Sequence, residues 1–296
     1  MCRVMIQIEH ITKQYQQQKA VNDVSFTITE GICTALIGPN GSGKSTLIDL
    51  LIGDRHADSG MIKDPSHLLH PERLGVLFQR TTFPERMKVI ELYQLFSKLY
   101  PQSLSLAQFQ NITRFNDVEL QKFATELSGG QQRILDFALT MISKPQCLIL
   151  DEPTSAMDVQ MRQHFWKIVS QLKAEGLTLF YTSHYIEEVE RMADQVIVLN
   201  KGQIVFNDSP GNIKQQQNLS IIDIPAPHIA LEQQFPHETI THVQQRLHIK
   251  TNHVQQVLEK LLALNVNLDD IEIRKNSLLE IIFNEDKQGA VSYTHL

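Results

Sequence analysis

The sequence predicts an α/β fold built on a mixed sheet, followed by a smaller α+β unit. Three observations predict it. From Ile6 to Phe206 short apolar strand patterns alternate with helical ones, the arrangement of parallel strands joined by helical crossovers. Between Phe83 and Lys144 the strand signal vanishes and helical spacing takes over, which marks an all-helical insertion. After Pro210-Gly211 and the run Gln215-Gln216-Gln217 a different pattern begins, so that stretch reads as a linker.

The expected strands are Ile6–Ile11, Val24–Ile28, Ile32–Ile37, Gly75–Phe78, Cys147–Leu150, Thr178–Thr182, Gln195–Leu199 and Gln203–Asn207. Val24–Ile28 and Gln203–Asn207 alternate apolar with polar residues, as half-exposed antiparallel strands do. Cys147–Leu150 is continuously apolar, as a strand covered on both faces would be. One mixed sheet accommodates all of them. In the helical insertion, residues 83–144, Leu92, Leu95, Phe96 and Leu99 share a face at i, i+3, i+4 and i+7. The main domain is thus expected over 5–215 and a small α+β domain over 216–290. In the latter the pattern predicts a strand near Leu219–Ile224, another within Ile240–Ile249, a helix capped by Asn252, a strand at Asn267–Ile273 and a last helix from Asn276. The stripe Val254, Val257, Leu258, Leu261 and Leu262 on the capped helix reads as core. Met5 is an alternative start. Val291–Leu296 resembles a translated sequencing adapter and is left out of the fold reading.

Bulk properties exclude some functions. A length of 296 residues suits one large domain plus a smaller one. The formal net charge of -6 offers no global attraction to nucleic acid, so none is expected as a partner. Cys2, Cys33 and Cys147 are far apart, and the last two lie in apolar strand runs. They read as buried thiols of a reducing compartment rather than as disulfide or metal ligands. No apolar run reaches the length of a membrane-spanning helix, so a membrane role would act through a partner.

The first chemical motif is Gly38-Pro39-Asn40-Gly41-Ser42-Gly43-Lys44-Ser45-Thr46. It fits the phosphate-loop pattern GxxxxGK[ST] between an apolar strand and the helical run Leu47–Ile52, the context that separates it from a chance glycine-rich turn. Glycines let the backbone curl around phosphate and aim its N–H groups, with the helix N-terminus, at the anion. Lys44 is then placed for the β- and γ-phosphates and Ser45 for Mg²⁺. The second motif, Leu148-Ile149-Leu150-Asp151-Glu152-Pro153, ends a buried strand in two carboxylates. Asp151 suits the Mg²⁺ shell and Glu152 an attacking water. Alone, such a pair is as readily a loop-exposed one; beside a phosphate loop it reads as catalytic. The third, Leu127-Ser128-Gly129-Gly130-Gln131-Gln132, is a turn opening a helix. By itself it is either an ordinary helix start or a second anion-binding turn.

Leu127–Gln132 resembles the signature motif of the ATP-binding cassette (ABC) family, and other motifs follow in that family's order. Tyr15 matches the aromatic residue that stacks on adenine, and Gln79 the Q-loop glutamine, which is counted both as catalytic and as a Mg²⁺ contact. Ser155-Ala156-Met157-Asp158 is similar to the D-loop, and His184 to the switch histidine at the γ-phosphate. The resemblance covers residues 5 to 215. It implies a P-loop NTPase with a RecA-like core, a mixed sheet and a helical subdomain. It also implies ATP and Mg²⁺ as ligands, Glu152, His184 and Gln79 as catalytic residues, and head-to-tail pairing with a second copy or a paralogous cassette. Ser128, Gly129, Gly130 and Gln131 would then serve the partner's ATP. Two positions depart from the pattern: Met157 replaces the usual D-loop leucine, and Asp136 stands where a small residue is usual, which puts local packing in question. The other histidines, His67 and His70 included, lack a partner at metal-ligand spacing.

The insertion carries no long heptad repeat and the chain holds one phosphate loop. Both features argue against the coiled-coil relatives and the two-cassette soluble factors. The runs Thr182–Glu190 and Ile271–Phe283 are similar to the separate-subunit ATPases of type-2 ABC exporters of the multidrug or antibiotic kind. That resemblance implies a cytoplasmic protein held peripherally on the inner face of the cell membrane by a permease, docked around Gln79 to Leu92. The alternative is a soluble, regulatory or ribosome-associated switch of the same fold.

Overall fold

The computed structural model describes residues 5–217, 219–225, 235–236, 238–243 and 246–275. Contacts divide the chain into two compact units, one up to Pro210 and one from Gly211.

The first unit begins with β1 (Met5–Tyr15) and β2 (Gln18–Thr29), then β3 (Cys33–Ile37), α1 (Lys44–Leu51), β4 (Ser59–Lys63) and β5 (Leu74–Leu77). The helical insertion follows as α2 (Val89–Leu99), α3 (Leu106–Thr113), α4 (Asp117–Gln121) and α5 (Gly129–Thr140). β6 (Cys147–Leu150), α6 (Val159–Ala174), β7 (Thr178–Thr182), α7 (Ile186–Met192), β8 (Gln195–Asn200) and β9 (Gln203–Asp208) complete it. The six-stranded sheet runs β5-β6-β7-β3-β8-β9, parallel except for the β8–β9 pair.

The mixed sheet expected from the sequence is therefore present, with one correction. Val24–Ile28 lies, together with Ile6–Ile11, in a separate antiparallel sheet of order β2-β1-β4. Its alternation did report antiparallel pairing, because one face packs inward and the other meets water. Strand β4 went unread: Ser59-Gly60-Met61-Ile62-Lys63 is short, and four of its five residues are exposed. The inner face of this sheet, with Ile6, Ile8, Val24, Phe26 and Ile28, closes on α1 and on Ile149, Phe180 and Ile197 of the large sheet. Phe26 stacks on Phe180 at 5.9 Å between ring centroids. Burying a Phe or Ile of this kind contributes roughly 1.5–3 kcal/mol.

On α2 the shared apolar face is only partly core. Leu92 is buried, whereas Leu95 and Leu99 are 46% and 64% exposed. Helical periodicity locates a face but not what covers it.

The second unit starts at α8 (Pro210–Gln217), so the glutamine run expected as linker is helical. Glutamine is a good helix former. β10 (Ser220–Pro225), β11 (Thr239–Val243) and β12 (Arg246–Thr251) follow. The single strand expected within Ile240–Ile249 is thus a β11–β12 pair. Helix α9 (Val254–Ala263) has His253, not Asn252, at its N-cap position. Thr251 Oγ1 accepts from His253 N at 2.8 Å and turns the chain there. The strand expected at Asn267–Ile273 is a 3₁₀ turn, Leu268–Asp270, and then β13 (Glu272–Lys275). Asn267 accepts from Asp269 N at 3.2 Å, a local bond that competes with strand pairing. The sheet order is β11-β12-β10-β13, all antiparallel. Val257 and Leu261 face a core of Ile222, Ile224, Leu247 and Ile249, with Val254 and Leu258 at its margin, while Leu262 is exposed. The helix expected from Asn276 lies outside the described residues.

Candidate functional site

Parallel strands of an open α/β sheet deliver loops to one edge, the carboxyl ends, where ligands bind. Here β3 leads into Gly38–Thr46, β5 into Gln79, β6 into Asp151 and Glu152, and β7 into His184. Four neighbouring strands thus bring together residues separated by more than a hundred positions.

The phosphate loop is fixed by backbone proximity. A Cβ on Gly38 would stand 2.0 Å from the Leu199 carbonyl oxygen, and one on Gly43, at φ 107, would stand 2.2 Å from that of Ala20. Gly43 caps α1 in the left-handed region and no side chain caps that helix, so its first N–H groups face the loop. Lys44 Nζ donates to the carbonyls of Gly38 and Pro39 at 2.8 and 3.0 Å. Burial pushes the Lys44 ammonium below its ordinary value, while Glu152 and Asp151 act against that shift. Ser45 Oγ and Asp151 Oδ2 are 3.5 Å apart. Two hard oxygens this close, on a helix start and a strand end, fit a Mg²⁺ ion.

Asp151 and Glu152 have different surroundings. Burial raises the Asp151 carboxyl, partly offset by the Thr182 hydroxyl that donates to Oδ1. Glu152 sits at φ 45, a left-handed backbone rare outside glycine. Its N–H donates to Thr182 Oγ1 at 2.8 Å. Gln79 Nε2 donates to Glu152 Oε2 at 3.0 Å, and His184 Nδ1 lies 3.6 Å from the same oxygen. The nearby imidazole of His184, then the hydrogen bond from Gln79, holds the Glu152 carboxyl below the usual range against the opposing effect of burial.

Other expected site residues stand apart. Tyr15 ends β1 with its ring 39% exposed, and the cations of Lys13 and Arg55 lie 5.8 and 5.6 Å from its centroid. Ser128 and Gln131 form a capping box at the start of α5: Gln131 N donates to Ser128 Oγ at 3.3 Å and Ser128 N to Gln131 Oε1 at 3.1 Å. Gly129 and Gly130 pack against Ala156, and a Cβ on Gly130 would meet its carbonyl oxygen at 3.1 Å. The signature turn thus lies beside the D-loop, and none of its described hydrogen bonds reaches the phosphate loop.

Comparison with known proteins fits this geometry. A model of the family described as "ABC transporter" matches residues 21–155. Nod factor export ATP-binding protein I of Burkholderia orbicola is 32% identical over 233 residues, covering 75% of this chain and 77% of that protein.

The chain belongs to the ABC transporter family.

It is accordingly an ATP-binding, ATP-hydrolysing cassette, of a kind that forms dimers and works with membrane subunits. The linearmycin resistance ATP-binding protein of Bacillus subtilis is 26% identical and covers 95% of this chain and 97% of its own length. A nucleotide-free ATP-binding cassette from an ABC transporter superposes with a TM-score of 0.61 at 26% identity, over 72% of this chain and 94% of that one. Among the described residues no helix is long and apolar enough to cross a membrane.

Several residues of the cassette were not anticipated. Thr182, at the end of β7, bridges Asp151 and the Glu152 N–H; its place depends on the pairing of β6 with β7, for which the sequence carries no signal. Tyr185 packs on His184 at 4.0 Å between centroids, and the Arg162 guanidinium lies 4.0 Å over the Tyr185 ring. Arg133 is buried in α5 among Ile134, Leu135 and Phe137. A charge on an otherwise apolar helix face is the signal that sequence reasoning passed over.

Proposed function

We propose that this cassette is the ATPase subunit of an exporter whose membrane-spanning part is a separate chain. The observation that carries the catalytic reading is the meeting of Gln79, Glu152 and His184 around one carboxylate oxygen, beside a phosphate loop and Asp151. In this reading Gly38–Thr46 enclose the ATP phosphates and Lys44 exchanges its loop carbonyls for phosphate oxygens. Tyr15 meets adenine. Ser45, Asp151 and Gln79 would hold Mg²⁺, which supplies charge neutralisation at the phosphates. Glu152, ionised, orients and deprotonates the attacking water, and His184 contacts the γ-phosphate.

Ser128–Gln131 serve the ATP of a second copy or a paralogous cassette. None of their described hydrogen bonds reaches the phosphate loop of the same chain, which supports that reading. Export is supported by likeness to an export protein and, over nearly the full length with the second unit included, to a resistance protein. The cassette then works at the cytoplasmic face of the membrane through its permease. Co-expression with candidate six-span membrane proteins tests this: one of them should co-purify with the cassette and stimulate its ATP turnover. A cassette that stays soluble with unchanged turnover, and sediments with ribosomes only when ATP is present, would replace export with the switch role.

A further inference from the structure

Helix α5 carries the signature turn at its N-terminus, but a later face of the same helix grips the other catalytic loops. Arg133 is 7% exposed. Its Nε donates to Pro153 O at 3.0 Å, its Nη2 to Asp151 O at 2.7 Å and to Glu152 O at 3.1 Å, and its Nη1 to Phe78 O. One guanidinium thus binds the backbone on both sides of the gap between the ends of β5 and β6. A lysine could not span these carbonyls, because only the planar fork presents donors in so many directions. A buried cation also needs a counter-charge. Asp136, one turn on, lies 3.6 Å from Arg133 Nη1 and accepts a hydrogen bond from the Thr81 hydroxyl.

Arg133 therefore holds Phe78, just before Gln79, and Asp136 holds Thr81, two residues after it. The face continues to Thr140, whose hydroxyl lies 3.4 Å from Val76 O. The helix fits closely there: a Cβ on Gly75 would come within 2.6 Å of Leu148 and 2.8 Å of Thr140.

We propose that Asp136, through Arg133 and Thr81, is a positioning residue that brackets Gln79 and sets its bond to Glu152. The bracket also ties the Gln79 loop of one ATP site to the helix whose N-terminus serves the other. The inference rests on Gln79 and Glu152 acting at the γ-phosphate.

ATP turnover by the full chain tests the proposal. Asp136→Ala should lower kcat about tenfold while KM for ATP changes less than about twofold, since misplacing a catalytic group costs rate more than ground-state binding. Asp136→Asn, which keeps an acceptor for Thr81, should recover part of that loss. Thr81→Val, on an exposed loop that does not endanger folding, should lower kcat about threefold. In a Gln79→Ala background neither change should cost anything further, because coupled positions are not additive. Normal kcat in Asp136→Ala or Thr81→Val, or an equal extra loss on top of Gln79→Ala, would overturn the bracket. A Gln79→Ala variant with wild-type kcat would instead remove the catalytic role of Gln79 and the bracket with it. If Asp136→Ala does not fold, Thr81→Val and Asp136→Asn decide.

Discussion

Two helix N-termini in this chain carry the family's nucleotide-binding motifs, and they are built differently. Helix α1 begins at Gly43 with no side-chain cap, and Ser45, Asp151 and Lys44 crowd around its first turn. Helix α5 begins at Ser128 with a closed capping box; Ala156 and Met157 of the D-loop and Met161 of α6 pack on its glycines, and Gln131 Nε2 donates to Glu119 Oε1 at 2.9 Å. An uncapped start leaves its N–H groups for a ligand, whereas a capped start is already stable alone. In the proposed reading, the first is the core of a site that one chain assembles by itself, and the second is a surface completed by another chain.

The largest effects should fall on the self-assembled half. Lys44→Ala removes the cation that faces phosphate, worth about 1.5–3 kcal/mol for a charge-assisted bond, so ATP affinity should fall roughly ten- to hundredfold. Equilibrium titration with a fluorescent ATP analogue measures it, and unchanged affinity would take Lys44 out of the phosphate site.

Glu152→Gln separates binding from chemistry at the same half. The amide cannot accept the water's proton, so kcat should drop about a hundredfold or more while affinity for ATP holds. A nucleotide-locked dimer should accumulate, visible by size exclusion with ATP and Mg²⁺. The acid limb offers a second check. Glu152 works ionised, and its carboxyl is held below the usual range by His184 first and Gln79 next. The working form is therefore present above that lowered value, and the fall in kcat on the acid side that Glu152 causes should lie below the range of an ordinary glutamate. Removing His184 takes away the larger of the two stabilising influences, so any residual turnover should lose activity at higher pH than the wild type.

Sequence alone made the self-assembled half readable. Strand, loop and helix are contiguous around Gly38–Thr46, and Asp151-Glu152 closes an apolar run, so local pattern and chemistry coincide. What stayed hidden depends on which strands become neighbours. Thr182 touches Asp151 because β6 and β7 pair in parallel, and no spacing in the chain encodes that pairing. Arg133 looks like any helix charge until α5 lies across β5 and β6. Asp136 was noticed only as a misfit, and its partner Thr81 is 55 positions away. In the second unit, single side-chain bonds such as Thr251 to His253 moved a helix start from Asn252. Bonds of that kind compete with propensity over one or two residues, below the resolution of a periodicity argument.

The half that faces a partner should respond more mildly and in a different variable. Ser128→Ala opens the capping box and should cost about 1 kcal/mol of stability. Thermal unfolding of the isolated cassette reads that loss. Binding of ATP to a single chain should be unaffected, because Ser128 makes none of its described hydrogen bonds to the phosphate loop. Turnover should fall, and the fall should be largest where dimerisation limits the rate, so raising the protein concentration should recover part of it. A drop in single-chain ATP affinity would erase the distinction between the two helix starts.

The smallest effect concerns the strands that feed the self-assembled half. Cys33 opens β3 and Cys147 opens β6; both are free, fully buried thiols that burial pushes up to about 12. At pH 8 neither should form appreciable thiolate or admit a maleimide. Peptide mapping after labelling the folded protein should find both unmodified, and both should react once denaturant is added. Modification of either under native conditions would mean that β3 or β6 opens to solvent during ordinary fluctuations. The phosphate loop and Asp151 would then hang from strands that move, and the rigid half of the comparison would no longer be rigid.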